Sequence, residues 1–437
     1  MLGRDLAGAL RAPVTWFTAG AAMLLVGHGY VLAIDLYTAG SRSAWHNVLM
    51  SREFDPLLGI VRPTLGGLNL ALSLFGPVLG ARVLAVEKDR RTFHGALLAR
   101  GSVTRFVASK WLASGLCALL PWLGVWALSA CWVGLGGHLA WCETLLALSG
   151  QLLYAGLTTA IGLAAAAFTA SFAQAATLAL SSIAASWAID AAEGFSALAW
   201  LGGAQAWSPA TYLGPLEQGT LQLSSLAWYA AAMFGLFGLA CVGCRFDLHG
   251  WRKWLGACVI GAALVASCAA ARLIPHAWDV SEASRHSLPP LAAAELGALP
   301  GRLHFSVQLD REDGRRRQLE TDTLAKLRLA RPDLRVSFPT DERSTRALLE
   351  QEPDYGTIVI ELGRRAVTTT STSRRELTTL IFELAGKPLP DWTQPAYPGY
   401  PLIVEGSRRT LALAFSYALL PLVPALLGLL FTRARRK

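Results

Sequence analysis

Residues 86–111 read VEKDRRTFHGALLARGSVTRFVASKW, and they lie between two apolar runs near 65–86 and 111–135. Each run is long enough to cross a hydrocarbon core, which requires about 20 apolar residues in a helix. The charged stretch between the runs must then lie in water on one side of a bilayer. The chain therefore contains at least one pair of spans joined by a dense charged connection.

The composition of the whole chain is that of a membrane protein. Apolar residues make up 53% of the chain and charged residues 16%, and the mean hydropathy is +0.40, whereas soluble domains carry about 25% charged residues. Windows of spanning length lie near 13–35, 65–86, 111–135, 144–168, 173–193, 225–245, 253–275 and 409–432. The sequence predicts an α-helical polytopic membrane protein with about eight spans.

Lysine and arginine are concentrated in alternate connections between these spans, which predicts the orientation. With a cytoplasmic N-terminus, the inner segments would hold Arg4, Arg11, Lys88, Arg90, Arg91, Arg100, Arg105, Lys110, Arg245, Arg252, Lys253 and the basic tail 433–437. Eight spans return the C-terminus to the same side, so both termini are expected in the cytoplasm. The net charge of +9 is then a topological signal rather than a nucleic-acid-binding surface.

Residues 1–12 have the pattern of a short amphipathic helix. Leu2, Leu6 and Leu10 recur every four residues among charged side chains. Such a helix would lie on the inner membrane surface. A frayed terminus is the alternative.

No residue pattern predicts a metal or redox site. Most of the seven cysteines fall in predicted spans, where cysteine behaves as a small apolar residue. Cys241 and Cys244 have no second pair or nearby histidine to complete a zinc set. His138, Cys142 and Glu143 are ligand types that lie close together in the chain, but we expect no metal at either place.

Residues 276–408 are polar and free of cysteine, and they are enclosed by the last two predicted spans. Alternation of apolar and polar residues predicts strands at 303–309 and 334–338, and two further strands are placed at 356–362 and 366–370. Helices are predicted at 320–330, at 341–352 and after Ser373, where Ser373 and Glu376 match a capping box. This order indicates an extracytoplasmic α/β domain of thioredoxin-like outline. Because no cysteine follows Cys268, we expect it to bind a partner or cargo without thiol chemistry.

Residues 87–110 are predicted to form a charged helix along the membrane that receives a push from a soluble partner. Glu87 would orient the turn out of the second span by pairing with a nearby basic group. The side chains expected to hold the helix against the spans are Phe93, Leu97 and Leu98, and those expected to face the partner are Arg90, Arg91 and Arg105. The alternative is a basic loop that only satisfies the positive-inside rule.

The order of residues in this stretch resembles that of the ABC-2-type permeases of ABC transporters. That family follows its second span with Glu, a basic stretch, Gly-Thr, a Leu-Leu pair, a Pro-x-Ser-Arg-like turn and a Lys that opens the third span. The matching residues here are Glu87, Thr92, Leu97, Leu98, Arg105 and Lys110. The sequence departs from the pattern because Arg91 replaces the glycine, Gly101 and Ser102 stand where proline is usual, and the distance from Arg105 to Lys110 is short.

The resemblance extends along most of the chain. Residues 212–221 resemble the segment before the last helix of gliding-motility-type permeases, and residues 354–377 resemble the auxiliary component of the same systems. The implied domains are an inner-surface helix 1–12, a six-span permease 13–246 with its coupling helix 87–110, a seventh span 253–275, a shortened extracytoplasmic domain 276–408, an eighth span 409–432 and a basic tail 433–437.

The resemblance implies a permease subunit in the bacterial cytoplasmic (inner) membrane. No G-x-x-x-x-G-K-[ST] loop occurs in the chain, so ATP and Mg would be bound by a separate ATPase subunit, present in two copies, and this chain would be no enzyme and carry no cofactor. A second permease copy or a paralogue would frame the path. The implied coupling residues are Glu87, Arg90, Arg91, Thr92, Phe93, Leu97, Leu98, Arg105 and Lys110, with a further contact at the short loop 169–174.

Polar side chains inside the spans are few, and such groups are functional candidates because they are costly to bury in lipid. The candidates for a polar pathway are His28, Gln151, Asp190 and Glu193, and Asp35 also lies in the first span. Outer water could solvate Asp190 and Glu193 instead. So few charges favour an amphipathic or lipid-linked cargo, or mechanical transmission to the outer domain, over transport of a small ion.

Two classes of function fit these patterns. The first is a permease subunit that couples ATP hydrolysis to export or to work at the outer face. The second is a non-transporting membrane scaffold or receptor whose outer α/β domain binds a partner. Eight spans exceed what an anchor needs, which favours transport, and no catalytic cluster in the spans supports an enzyme.

Overall fold

A computed structural model describes residues 2–45, 48–51, 54–99, 101–191, 202–274, 276–310, 313–339, 355–390 and 397–433. Within these ranges, eight helical segments are long and apolar enough to cross a membrane: Pro13–Ala44, Leu57–Asp89, Val103–Gly134, Trp141–Phe168, Phe172–Ala191, Leu223–Gly243, Trp251–Ala271 and Gly406–Phe431. The prediction of a polytopic helical membrane protein is confirmed, and these eight segments are its candidate spans.

The described helices follow one another along the chain as α1 (Leu2–Leu10), α2 (Pro13–Ala44), α3 (Val48–Ser51), α4 (Arg62–Asp89), α5 (Phe93–Leu98), α6 (Val103–Ala118), α7 (Leu120–Gly134), α8 (Trp141–Phe168), α9 (Phe172–Ala191), α10 (Gly202–Gln205), α11 (Pro209–Glu217), α12 (Leu223–Gly243), α13 (Trp251–Ala271), α14 (Pro290–Gly297), α15 (Gly314–Gln318), α16 (Ala325–Ala330), α17 (Arg374–Ala385), α18 (Gly406–Ala414) and α19 (Leu420–Arg433). Turns of π-helix at Leu57–Val61, Leu319–Leu324 and Phe415–Leu419 continue into α4, α16 and α19, and a 3₁₀ turn lies at Glu282–Ser284. The strands are β1 (Thr220–Gln222), β2 (Ala277–Asp279), β3 (Leu303–Val307), β4 (Arg335–Ser337), β5 (Ile358–Leu362) and β6 (Arg365–Thr369).

The chain divides into two compact units. The membrane unit comprises Met1–Ala188, Trp207–Ile274 and Pro398–Lys437, and the α/β unit comprises Ile189–Ala206 and Pro275–Tyr397. The predicted outer domain therefore ends near residue 397 instead of 408. Residues after 397 belong to the membrane unit because Leu402 and Val404 donate backbone N–H groups to Ser41 and Thr38 on α2, at 3.0 and 3.2 Å.

The first three spans are longer than their hydropathy windows. The first continues to Ala44, the second begins at Leu57, and the third begins at Val103 and breaks at Leu119 before Pro121. Their ends carry polar residues that leave the hydrocarbon, and a hydropathy window stops at such residues.

Glycines bring α4 and α8 into backbone contact. Gly76 and Gly80 form a G-x-x-x-G pair on α4, and Gly162 faces them from α8. A Cβ at Gly80 would overlap the Thr159 carbonyl, and one at Gly162 would overlap the Pro77 carbonyl. Small residues at such crossings let membrane helices approach closely, where dispersion contacts replace the missing hydrophobic drive.

The α/β unit contains a four-stranded sheet in the order β4-β3-β5-β6. Strand β3 pairs parallel with β4 and antiparallel with β5, and β5 pairs antiparallel with β6. Alternate side chains of β3 are buried, as the period-two pattern predicts. Helix α17 contributes Leu377, Ile381 and Phe382 to the same core.

The four strands predicted between 303 and 370 are present, but the predicted helices differ in part. The helix placed at 320–330 begins at Gly314 and contains the π turn, and the helix placed at 341–352 lies outside the described residues. The capping box was wrong: the Ser373 side chain makes no cap hydrogen bond. The Glu376 carboxylate instead accepts a hydrogen bond from the Thr369 hydroxyl on β6, at 3.3 Å.

Candidate coupling site

The sequence predicted one helix over residues 87–110 between the second and third spans. This prediction was wrong, because the connection contains more than one element. Helix α4 ends at Asp89, α5 covers only Phe93–Leu98, and α6 begins at Val103. One turn at residues 90–92 separates α4 from α5, and α5 ends at Leu98, directly before Ala99 and ahead of the described bend at Gly101. The third span thus already contains Arg105 and Lys110, and α5 alone forms the crossing piece.

Arg91 makes the first turn possible at a conformational cost. Its φ is +55°, in the left-handed region, where a side chain costs roughly 1–2 kcal/mol relative to the right-handed conformation. This is the position at which the resembled family has glycine, the residue that enters this region most easily. Arg91 therefore places a guanidinium on a turn that glycine would form with less strain.

Replacing Arg91 by glycine should stabilise the chain by about 1 kcal/mol, because the left-handed strain is removed. Arg90 is the matched control, since its φ of −80° lies in the right-handed region, so Arg90→Gly should be neutral or destabilising. The measurement is the thermal midpoint of each purified variant in detergent. Equal shifts for both variants would contradict the assignment of strain to Arg91.

The buried side of α5 is apolar. Phe93 packs edge-on against Phe106 and Phe246, with ring centroids 5.5 and 5.4 Å apart, and Leu97 is also buried. Leu98 was predicted to hold the helix against the spans, but its side chain is 81% exposed, so this prediction was wrong. A six-residue helix buries one stripe only, and Leu98 lies beside that stripe.

A buried ion cluster joins three segments beneath α5. The Lys110 ammonium on α6 donates hydrogen bonds to Glu87 of α4 and to Asp5 of α1, the latter at 3.0 Å. The side chains of Lys110 and Asp5 are only 7% and 8% exposed. The pairing predicted for Glu87 is present, whereas Lys110 is an internal residue and not a contact surface.

Lys88 holds the end of the fourth span in the same region. Its ammonium donates to the carbonyl oxygens of Ala166, Ala167 and Thr169, at 2.6, 3.1 and 2.9 Å. Ala166 and Ala167 belong to the last turn of α8, whose carbonyls have no partner further along the helix, and Thr169 is the extended residue that follows it, so a cation there is favourable. These hydrogen bonds connect the short loop after α8 to α4. The sequence did not indicate this contact, because Lys88 was interpreted only as one of the positive charges that set the topology.

The exposed side of this region presents basic and apolar groups together. We call the set Arg90, Arg91, His94, Leu98 and Arg105 the α5 surface, and all five are exposed. His94 stacks on Phe246 with centroids 4.2 Å apart. Thr92 is exposed and its hydroxyl donates to the Glu87 carbonyl at 3.4 Å, while Arg100 lies outside the described residues.

Among the described polar pathway candidates, His28 and Gln151 make hydrogen bonds to different partners. His28 contacts the Tyr417 hydroxyl at 2.7 Å, whereas Gln151 donates to Glu217 of α11 at 2.7 Å, as does Asn69. Asp190 lies in the last turn of α9, and Glu193 lies outside the described residues. Glu217 was missed as a centre of this cluster, although an acid in an otherwise apolar segment was a usable signal.

No protein-family model matches the chain, and neither a curated protein nor a solved structure matches it. Among the described residues, no group of three or more His, Cys, Asp and Glu side chains could hold a metal ion.

Proposed function

We propose that this chain is the transmembrane permease subunit of an ABC-2-type ABC transporter, coupling ATP hydrolysis by a separate ATPase to export or to work at the outer face. The observation that carries the proposal is α5, a six-residue helix. One side of this helix is an exposed basic and apolar surface, and the other side is attached to several spans by buried contacts. A loop that only places positive charges on the cytoplasmic side would not need these buried contacts, whereas a helix that transmits force to the spans would need them.

The contacts under α5 would carry a displacement into several spans at once. Phe93 and Leu97 attach α5 to the apolar core, Lys110 joins α6 to α4 and α1, and Lys88 joins α4 to the end of α8. Because buried ion pairs and packed aromatic rings resist separation, a push on α5 moves these helix ends together. The chain lacks a phosphate-binding loop, so the push would come from a partner ATPase, one on each of two permease chains.

The α/β unit would be extracytoplasmic and both chain termini cytoplasmic, in the bacterial inner membrane, as the distribution of Lys and Arg favours. In its four-stranded sheet, β3 lies between the parallel strand β4 and the antiparallel strand β5, and α17 follows β6 along the chain. This arrangement supports a thioredoxin-like domain. With no cysteine after Cys268, its role would be to bind a partner or cargo.

Arg105→Glu should abolish copurification of the ATPase while leaving the permease folded, because the side chain is exposed and its charge stays in water. The expected loss is roughly 2–5 kcal/mol for a desolvated pair with an acidic partner and less at a rim. The measurement is ATPase recovery and ATP turnover of the detergent-purified complex. Arg302→Glu, at an exposed position of the α/β unit, is the control. If both Arg105→Glu and Leu98→Glu assemble with the ATPase and hydrolyse ATP normally, the region is only a basic loop and the proposal is contradicted.

A further inference from the structure

A ladder of polar contacts joins α2 to the last span. Arg42 donates to Glu405 at 2.9 Å, Arg409 donates to both oxygens of Asp35 at 2.8 and 3.0 Å, and His28 contacts Tyr417 at 2.7 Å. The three α2 members are spaced by seven residues, so they share one helix face at intervals of about 10 Å. The ladder runs from the end of α2 farthest from α5 to the middle of the span.

A cleft of about 460 Å³ opens between the first two rungs, with Thr38 in its wall. The four charged side chains remain 39–60% exposed, so they line the cleft and are not packed into the core. The volume exceeds that of a single ion and falls within the range of small-molecule sites, about 300–1,000 Å³.

The charges of the cleft alternate and sum to zero. Arg42 and Asp35 lie on α2, and each faces a residue of opposite charge, Glu405 and Arg409, across the cleft. An anion would pair with the arginines but repel both carboxylates, and a cation would do the reverse. A zwitterion meets both signs, since arginine binds phosphate in a fork geometry and carboxylates accept hydrogen bonds from an ammonium group.

Exposed leucines continue from the cleft toward the middle of the membrane. Leu32 and Leu36 on α2 are 50% and 65% exposed, and Leu411 on α18 is 58% exposed. A water-soluble zwitterion gains nothing from this surface, whereas acyl chains attached to a bound headgroup would cover it. The cost of holding ion pairs at the lipid face of a span is offset if a headgroup shields them.

We infer that this cleft binds the zwitterionic headgroup of a phospholipid, with its phosphate on Arg42 and Arg409 and its primary ammonium on Asp35 and Glu405. The leaflet is the one opposite the α5 surface. The inference requires only that the eight helices span a membrane, so it stands independently of the proposed ATPase partner.

The test is native mass spectrometry of the purified full chain in detergent with phosphatidylethanolamine, phosphatidylglycerol or soluble glycerophosphoethanolamine. We expect phosphatidylethanolamine to be retained at least about tenfold more tightly than phosphatidylglycerol, and the soluble headgroup not to compete at equal concentration. Equal retention of the two lipids would overturn the inference. Effective competition by the soluble headgroup would show that the acyl chains add no affinity, and it would overturn the assignment of the ligand to a lipid.

A charge swap separates headgroup binding from a simple clamp between helices. Asp35→Arg combined with Arg409→Asp keeps an ion pair between α2 and α18 but destroys the alternation, so preference for phosphatidylethanolamine should fall about tenfold at unchanged thermal stability. Arg42→Gln, at an exposed side chain, should give the same loss if the swap does not fold. Arg245→Gln, whose guanidinium pairs with Asp247 outside the cleft, is the control. Parental preference in both cleft variants would mean that the pairs only hold the helices together.

Discussion

Lys110→Ala is expected to destabilise the membrane unit by about 3–5 kcal/mol, because it removes the ammonium that Glu87 and Asp5 share in a buried site. Two carboxylates then lie close together without their counter-charge, and Glu87 already has one buried oxygen without a partner. Helix α1 should separate from the spans and become sensitive to protease. The measurements are the thermal midpoint in detergent and the rate of proteolysis within residues 1–12.

A control and a rescue isolate the charge from the loss of a long side chain. Lys253→Ala removes a lysine whose ammonium donates to the Gly243 carbonyl at 2.6 Å, and it should cost much less. The combination Asp5→Asn, Glu87→Gln and Lys110→Met removes all the charges of the cluster and should restore most of the lost stability, as coupled residues do. A Lys110→Ala variant no less stable than Lys253→Ala would contradict the role given to the cluster.

Gly162→Ala should cost several kcal/mol, although it adds a single methyl group. Its Cβ would overlap the backbone of α4 at Pro77 and Ala81, and a helix backbone cannot move aside as a side chain can. Overpacking of a dense interface costs typically about 1–3 kcal/mol, and more is expected where both partners are backbone. The α4 and α8 pair forms the centre of the membrane unit, so most of the protein should be lost as aggregate.

Gly66 provides the matched control on α4, since nothing lies within 4 Å of a Cβ built there. Gly66→Ala should be neutral or stabilising by up to about 1 kcal/mol, the usual effect of replacing a helical glycine. The measurement is the monodisperse fraction in size-exclusion chromatography and its thermal midpoint. Similar behaviour of Gly162→Ala and Gly66→Ala would show that the crossing is looser than described.

Local patterns predicted the elements of the fold well. Runs of apolar residues located all eight candidate spans, and period-two alternation located β3 because this strand buries alternate side chains. Boundaries were less accurate, as at Ala44 and Val103, because helices continue where hydropathy ends. The helix at 87–110 was wrong since a local pattern does not show that the chain turns twice within it.

The residues of the candidate site could be proposed from the sequence, but their contacts with one another could not be predicted. The Asp5–Lys110 contact joins residues 105 positions apart and the His28–Tyr417 contact residues 389 apart, and neither separation leaves a local signal. Leu98 was assigned to the buried side together with Phe93 and Leu97, although adjacent helix positions such as 97 and 98 face different directions. The role of Lys88 as a cap for α8 depends on packing between spans that no spacing within residues 87–110 encodes.

The most direct test of the central claim is to place a photo-crosslinking amino acid at Leu98 of the full chain in living bacterial cells and to identify its adduct by mass spectrometry. The permease account predicts an adduct with a cytoplasmic protein that contains a G-x-x-x-x-G-K-[ST] phosphate-binding loop. The same probe at Leu123, which is 60% exposed on α7, should not give that adduct. Adducts at Leu98 only with lipid, or only with proteins that lack such a loop, would contradict the account.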